Sequence, residues 1–351
     1  MRRCARWTVA AAIVFLSLPA PAAKLQKFDF FAVKAGTSPL FPPSPETVKV
    51  VLKDQRPEPE VLSCSLFGIQ GAFGGITPKK PEAVPAAMEA AAKEAVEVLG
   101  FKNGDGGHTL EIVVKDIRAD MTPMKGMFGA LNFIGYAKVD TALRGPDGAE
   151  LSSNSYRLTS WISMASGKHP VPYMYARFVW EAVARTLLAK LPKDPDEAAV
   201  KALVAKYDTT KEDAERTNHL FWMGLLGKPT PGLVDKLLLV FRSEEDQTLY
   251  ETAALSLARL ATPEVRQEIL DVAARKKVLK EWDPGDAEEG FTLTYALYLM
   301  NEPDLKAKAP KLTRDPERQT ELYAFMDSGE IPKRTEKLEK KLAEAKSKLK
   351  E

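Results

Sequence analysis

The chain has 351 residues, of which 45% are hydrophobic and 28% are charged, and its formal net charge is +2. This composition is typical of a soluble globular protein, and a chain of this length is expected to form about two domains. The near-neutral charge argues against a general nucleic-acid-binding surface and against a surface for anionic membranes.

The first 22 residues have the pattern of a signal peptide. Three arginines lie within the first six residues, residues 7–18 form an uncharged and mostly apolar run, and residues 20–22 supply the small side chains of a cleavage site. The apolar run is shorter than the roughly 20 residues that cross a bilayer, so cleavage is favoured over retention as an anchor. We therefore predict an exported protein, periplasmic or associated with the outer membrane, whose mature chain begins at Ala23.

Removal of residues 1–22 changes the charge and the thiol content of the chain. The segment contains three arginines, no acidic residue and Cys4, so the mature chain has a formal charge of −1 and one thiol, Cys64. A single cysteine can form no internal disulfide. This is compatible with export, because an oxidising compartment permits disulfides without requiring them.

Residues 23–191 are predicted to form an α+β sandwich domain. Their hydrophobic periodicity and turn residues predict strands at 28–33, 47–53, 108–115, 133–144 and 150–162, and helices at 81–99 and 172–191. The last three strands follow one another directly, which favours an antiparallel meander. We therefore predict an antiparallel sheet with two helices on one face.

Residues 196–329 are predicted to be entirely α-helical, after a Pro-x-x-Pro linker at residues 192–195. Helices are predicted at 212–226, 232–242, 247–260, 263–277 and 288–300. Three positions recur 40 residues later: Thr252 and Thr292, Leu257 and Leu297, Leu260 and Met300. A period near 40 in helical hairpins is the size of a HEAT-type repeat, so we predict a short HEAT-like stack. An irregular helical bundle is the alternative.

Residues 330–351 are predicted to form a charged C-terminal helical tail. The tail contains eight Lys or Arg residues and five Glu, and apolar residues recur at steps of four, three and four from Leu338 to Leu349. This seam is short for an independent coiled coil. We predict a solvated terminal helix, with packing on the preceding helices or binding to an acidic partner as alternatives.

The first domain resembles the YajG-like family of envelope lipoproteins. The resemblance lies in the strand at residues 48–56, which ends in Asp54-Gln55-Arg56, in the glycines at 68 and 71, in the helix end at 98–101, in the strand at 110–114 and in the closing amphipathic helix. It covers residues 45–191. The family implies an envelope location and no known chemistry. Because this chain lacks a lipid-attachment cysteine at the predicted cleavage site, the resemblance does not extend to outer-membrane anchoring.

Two adjacent segments are candidates for binding. Residues 121–127 place three methionines at a spacing of three, and thioethers bind Cu(I). No histidine or cysteine lies in this segment, and methionine also fills irregular cores, so we favour a structural role. The apolar stretch at residues 127–135 is either a docking or peripheral membrane-contact surface or a connection folded onto the core, and we favour the second.

The remaining motifs favour structural interpretations. The glycines at 68, 71, 74 and 75 lead into Pro78 and not into a helix with Lys-Ser/Thr, so we predict a flexible loop and not a phosphate site. The histidines at 108, 169 and 219 lack metal-ligand spacing. The motifs of serine hydrolases and zinc proteases are absent. The acidic residues 244–246 precede a helix, where negative charge stabilises the N-terminus.

We therefore predict no catalytic, cofactor-binding or metal-binding residue and no cofactor. The predicted function is that of a non-enzymatic exported envelope protein, which acts as a protein-interaction or assembly module through its helical repeats and has a protein partner in the envelope but no nucleic acid. The alternatives are a protein that binds a small ligand or a metal, the latter through the methionine loop, and an enzyme whose site is dispersed in sequence. A concave pocket with converging titratable groups would favour these alternatives. The sequence leaves the partner and the oligomeric state open.

Overall fold

The computed structural model describes residues 25–57, 75–122, 132–163, 170–230, 232–313 and 316–332. The predicted signal peptide and both cysteines lie outside this part of the chain, and so does the tail beyond residue 332. Among the described residues, no helix is both long and apolar enough to span a bilayer.

The described residues include seven strands in two sheets. The strands are β1 (Leu25–Phe28), β2 (Thr47–Asp54), β3 (Gly75–Pro78), β4 (Lys102–Asn103), β5 (His108–Thr122), β6 (Asn132–Arg144) and β7 (Glu150–Ser163). The main sheet has five strands in the order β4-β2-β5-β6-β7. β1 and β3 form a separate parallel pair.

The main sheet is mixed, so the prediction of an antiparallel sheet is wrong for two of its four strand pairs. β5, β6 and β7 form the antiparallel meander that their direct succession predicts. β2, however, pairs in parallel with both β4 and β5. The reason lies in the helix between β2 and β5, because a helical crossover returns the chain to the end at which the first strand began.

Two helices, α1 (Ala83–Val98) and α2 (Val171–Lys190), complete the sheet region, which we define as residues 25–190. Alanine and valine side chains of α1 form the buried stripe that the sequence predicts. α2 packs on β6, β7 and α1, and it is buried on nearly all sides. Its close approach to the sheet requires glycine at position 135, where a Cβ atom would lie 2.0 Å from the sulfur of Met174.

The first strand lies earlier than the sequence predicts. It ends at Phe28, and the residues that follow contact α2 instead of continuing a sheet. The ring of Phe30 packs against Tyr175 with centroids 5.3 Å apart, and that of Phe31 against Tyr173 at 5.7 Å. Aromatic packing buries these side chains without strand pairing. The hydrophobic periodicity of such a segment is the same as that of a paired strand, so periodicity alone does not separate the two.

Eight further helices follow among the described residues and form the helical region, residues 197–328. They are α3 (Glu197–Thr209), α4 (Asp213–Leu225), α5 (Leu233–Ser243), α6 (Gln247–Leu260), α7 (Pro263–Ala273), α8 (Ala287–Leu299), α9 (Leu305–Lys308) and α10 (Pro316–Ser328). α7 ends earlier than residue 277, where the sequence places its end. The backbone turns at Arg275, whose φ is 57°, and the amides of Lys276 and Lys277 both donate to the carbonyl of Asp271.

α6 is the central helix of this region. It contacts α4, α5, α7 and α8, and most of its residues are buried. Gly224 permits the close approach of α4, since a Cβ atom there would lie 2.6 Å from the Cα atom of Ser256. Asp246 is the N-cap of α6, and its carboxylate accepts a hydrogen bond from the amide of Leu249 at 3.0 Å. This N-terminal cap is the role that the acidic residues 244–246 predict.

The helical region packs directly on the sheet region. Trp180 of α2 lies 5.5 Å from Trp222 of α4, measured between ring centroids. Phe291 of α8 packs edge-on against Trp161 at 5.4 Å. The buried apolar side chains of both regions consequently belong to one continuous cluster.

The predicted linker at residues 192–195 is held against the sheet region. The amine of Lys193 donates to the carbonyl of Leu99 at 3.0 Å and lies 4.6 Å from the centre of the Phe101 ring. The amide of Asp196 donates to the carbonyl of Leu40 at 2.9 Å. The division of the chain into two domains at this linker stays a prediction, because packed regions can still fold independently.

Candidate functional site

The methionine loop and the apolar stretch after it are described only in part. Met121 lies in β5, but the other two methionines lie outside the described residues, so copper binding stays a prediction. In the stretch at residues 127–135, Phe133 and Ile134 lie in β6 and are fully buried. Residues 127–131 lie outside the described part, so docking or membrane contact through residues 127–135 stays a prediction.

The described histidines occupy separate elements. His108 begins β5, whereas His219 lies in α4 and its Nε2 atom is 3.1 Å from the carbonyl oxygen of Gly36. Burial lowers the pKa of His219, which favours the neutral imidazole. His169 and the glycines at 68, 71 and 74 lie outside the described residues.

The Asp54-Gln55-Arg56 motif forms a buried clamp between β2 and α2. The guanidinium of Arg56 donates to both carboxylate oxygens of Asp54, at 2.8 and 2.7 Å, and to the hydroxyl of Tyr175 at 3.0 Å. Only 1% of the Arg56 side chain and 9% of the Asp54 side chain are exposed. Burial raises the pKa of Tyr175 to about 12, so its hydroxyl stays neutral. The geometry gives this motif a structural role.

Four acidic side chains of the helical region are buried close together. Within the described part of the chain, Asp286, Glu288 and Glu289 are the group whose carboxylate oxygens lie within 4.8 Å of one another, a spacing that one metal ion could bridge. The hydroxyl of Tyr250 donates to Glu289 at 3.0 Å. The fourth acid is Glu251 of α6, which accepts a hydrogen bond from the amide of the Gln247 side chain at 3.3 Å.

The electrostatics of this acidic cluster favour a bound proton. Burial, and then the neighbouring Glu289 and Glu288, raise the pKa of Glu251 well above its ordinary value. Asp286 is the N-cap of α8, so the positive end of that helix stabilises the carboxylates beside it. Oxygen ligands of this kind also suit a hard divalent cation. The helix terminus and the hydrogen bonds account for the cluster without a bound cation.

Four cationic side chains line a surface groove of about 700 Å³ in the helical region. The groove lies between the end of α7 and residues 307–313, and we call it the basic groove. The lining also contains one carboxylate. The charged lining residues are Arg275, Lys276, Lys308, Lys311 and Asp271. Arg275 and Lys276 line the groove because α7 ends early, so that residues 274–276 turn toward the segment that follows α9.

Two of the four cations are paired and two are not. Arg275 donates to Asp283 at 3.0 Å, and Lys308 forms an ion pair with a glutamate before α9. Lys276 and Lys311 are exposed and, within the part of the chain that the structure describes, form no ion pair. The groove therefore presents a local excess of positive charge, which complements a carboxylate-bearing partner.

The net charge of the whole chain gives no sign of the basic groove. A local signal exists in the run Arg275-Lys276-Lys277 and in the lysines at 306, 308 and 311. The two groups are some 30 residues apart in the sequence, so only the tertiary packing brings them to one surface.

The fold defines an α+β protein in which a mixed sheet and two helices are covered by a helical region. No protein-family model matches the chain, and no curated protein matches it.

Among the solved structures that match this chain, two each cover about half of it. Protein XCC0632 from Xanthomonas campestris, of the DUF330 family, is 14% identical over 46% of this chain and 95% of that chain, with a TM-score of 0.31. A minor lipoprotein from Acinetobacter baumannii is 6% identical over 44% of this chain and 99% of that chain, with a TM-score of 0.23. At these TM-scores neither likeness carries an argument about this chain.

Proposed function

We propose that the chain is a non-enzymatic, exported envelope protein that binds another protein through its helical region. Export rests on the N-terminal sequence pattern. Binding rests on one observation, the basic groove with two exposed lysines that have no ion-pair partner among the described residues. The partner that this groove fits is an acidic protein segment.

The groove also has an apolar neighbour. Val278 is 84% exposed and lies two residues beyond Lys276. Exposed apolar side chains are ordinary singly, but one beside unpaired cations suits a partner segment that combines carboxylates with an apolar residue. Lys276, Lys311 and Val278 are accordingly the contact residues of the proposed interface.

We further propose that α5–α6 and α7–α8 are HEAT-like repeats that hold this surface in place. The residue pairs that recur at a spacing of 40 are all buried. Hydrogen bonds connect positions at nearly the same spacing: the indole N–H of Trp282 donates to the carbonyl of Phe241 at 3.0 Å, and Tyr250 bonds Glu289. Contacts between equivalent positions are what stacked repeats require.

The proposal is tested by reversing charge in the groove. The probe is a short fluorescein-labelled peptide rich in glutamate and containing one leucine, titrated with the full chain by fluorescence anisotropy. We expect the double substitution Lys276→Glu and Lys311→Glu to weaken binding by about tenfold or more, because two attractive contacts become repulsive. Binding by the unsubstituted chain should also weaken as salt is added.

The matched control makes the same charge change elsewhere. Lys201 in α3 and Lys211 after it are both exposed, so Lys201→Glu with Lys211→Glu alters the net charge equally. Equal loss of peptide binding in the two double variants would refute the groove as the binding site and indicate unspecific attraction. The same pair of variants, compared in a pull-down from envelope extract, shows whether the groove also selects a natural partner.

A further inference from the structure

A second concave site lies where the sheet region meets the helical region. It is a cleft of about 300 Å³ between α2 and the C-terminal ends of α4, α6 and α8, and we call it the junction cleft. This volume falls at the lower end of the roughly 300–1,000 Å³ of small-molecule sites. The cleft is separate from the basic groove, with which it shares no lining residue.

The junction cleft contains one carboxylate between two guanidinium groups. Glu181 of α2 accepts from Nη2 of Arg259 at 2.6 Å, and its other oxygen is 3.5 Å from Nη1 of Arg185. Only 2% of the Glu181 side chain and 8% of the Arg259 side chain are exposed. The short, buried contact fixes Arg259 on Glu181, so this pair is neutral as a unit.

A third guanidinium adds positive charge behind this pair. Arg177 is fully buried and, like Arg259, lies over the ring of Phe221, at 5.8 and 4.8 Å from its centroid. Its hydrogen bond goes to the neutral side chain of Asn218, at 3.2 Å. Burial lowers the pKa of Arg177 to about 9, so the group remains cationic at neutral pH. The region around the cleft therefore has more positive than negative charge.

Arg185 is the cation that a ligand can reach. Nearly half of its side chain, 46%, is exposed, and its guanidinium lies 4.7 Å from the centre of the Tyr156 ring. A guanidinium has five N–H donors, and the distant contact with Glu181 engages few of them. Stacking on Tyr156 also limits the orientations of the group, which lowers the entropic cost of binding.

The remaining walls of the cleft combine apolar side chains with Asn301 and two glycines. Leu188, Leu225 and Leu299 line it together with the ring of Tyr298. Apolar walls with one accessible cation suit a ligand that has a single anionic group and a short hydrocarbon part. A singly charged carboxylate matches the one accessible guanidinium, whereas a doubly charged phosphate would exceed it.

We propose that the junction cleft binds a small carboxylate amphiphile, whose carboxylate pairs with Arg185 and whose alkyl chain lies against Leu188, Leu225 and Leu299. The site is independent of the proposed partner-binding groove. It places ligand binding at the boundary between the two regions, so an occupied cleft links α2 to three helices of the helical region.

The proposal is tested by isothermal titration of the full chain with sodium octanoate, below its micelle concentration. We expect saturable binding to one site and a loss of about tenfold or more in affinity for Arg185→Gln. A matched control is Arg144→Gln, which removes a guanidinium that is 44% exposed and lies outside both sites, and which should leave octanoate binding unchanged. Octanol, which has the same chain without the charge, should bind much more weakly than octanoate.

A second variant keeps the test independent of charge. Leu188→Trp fills the cleft and should abolish octanoate binding, with circular dichroism confirming that the chain is folded. Equal affinities for octanoate and octanol, unchanged binding by both variants, or no saturable binding by the natural chain would overturn the proposal. The chain is also to be tested against phosphatidylglycerol vesicles. Vesicle binding that free octanoate does not displace would overturn the proposal too, since a membrane surface would then be the ligand.

Discussion

A buried ionisable group of the sheet region, Arg56, and one of the helical region, Glu251, have opposite surroundings. In the sheet region, the guanidinium of Arg56 is buried with a carboxylate partner, Asp54, and with the hydroxyl of Tyr175. In the helical region, burial, and then the neighbouring Glu289 and Glu288, raise the pKa of Glu251. The first arrangement satisfies a charge, whereas the second brings like charges together.

This difference indicates where the chain departs from the most stable arrangement. Two buried hydroxyls of the sheet region are also satisfied: those of Thr141 and Tyr156 lie 2.7 and 3.0 Å from that of Thr186. Local departures from such consistency are expected at functional sites. The proposed partner binding lies in the helical region, which contains the acidic cluster and the basic groove.

The contact between the two regions carries the largest expected effect. Trp222 of α4 is fully buried against Trp180 of α2. We expect Trp222→Ala to lower the free energy of unfolding by about 3–5 kcal/mol, the usual cost of removing a large buried side chain. Hydrogen exchange followed by mass spectrometry should show reduced protection in peptides from both β6 and α6, because one cluster of side chains joins the regions.

The control for Trp222→Ala is Leu239→Ala, which removes an apolar side chain that is 55% exposed. It should change stability by no more than about 0.5 kcal/mol. Loss of protection confined to α6 in Trp222→Ala would contradict coupling between the regions and would instead support two independent domains divided at residues 192–195.

The buried pair of the sheet region should have the next largest effect. We expect Arg56→Ala to destabilise the chain by about 3 kcal/mol in urea unfolding, because it leaves the carboxylate of Asp54 buried without its partner. The control is Lys53→Ala, three residues before Arg56, which removes a half-exposed lysine that pairs with Glu111. That control should cost less than about 1 kcal/mol. Similar losses of unfolding free energy in the two variants would show that the buried Arg56–Asp54 pair contributes no more to stability than the pair of Lys53 with Glu111.

The acidic cluster predicts a smaller effect that depends on pH. In the folded chain the pKa of Glu251 is raised, so above the ordinary value of 4.5 the folded state keeps a proton that the unfolded state loses. Stability from this group is therefore present below pH 4.5 and falls as the pH rises. Glu251→Gln, which resembles the protonated form, should be more stable than the natural chain at pH 7 by on the order of 1–3 kcal/mol.

Glu268, which pairs with Arg242 and Lys277, should show the opposite dependence of stability on pH. The hydrogen bond from Arg242 lowers the pKa of Glu268 to about 2. Its contribution is present above pH 4.5 and is lost as the pH falls toward 2. Glu268→Gln should thus lower stability at pH 7 by up to about 1 kcal/mol, since both partners are over one third exposed. Melting temperatures from pH 3 to 8 test both variants, and a destabilised Glu251→Gln at pH 7 would refute the first.

Local patterns were sufficient for most elements of the fold. α6 begins and ends at the residues that its periodicity predicts, and β5, β6 and β7 form the predicted meander. These features depend on neighbouring residues, such as the N-cap at Asp246. The parallel pairing of β2 with β5 was missed, because it depends on where α1 returns the chain.

The two proposed binding sites could not be predicted from local patterns. Lys276 and Lys311 meet across the basic groove, and Glu181, Arg185 and Arg259 meet at the junction cleft, yet each set is dispersed along the chain. The sequence by itself determined the α+β class, the succession of helices and the residues that face the core, because hydrophobic periodicity and caps act over a few residues. Only the tertiary structure decided which charges lie side by side, because that depends on how α2 and the helices of the helical region pack, over distances that no local pattern records.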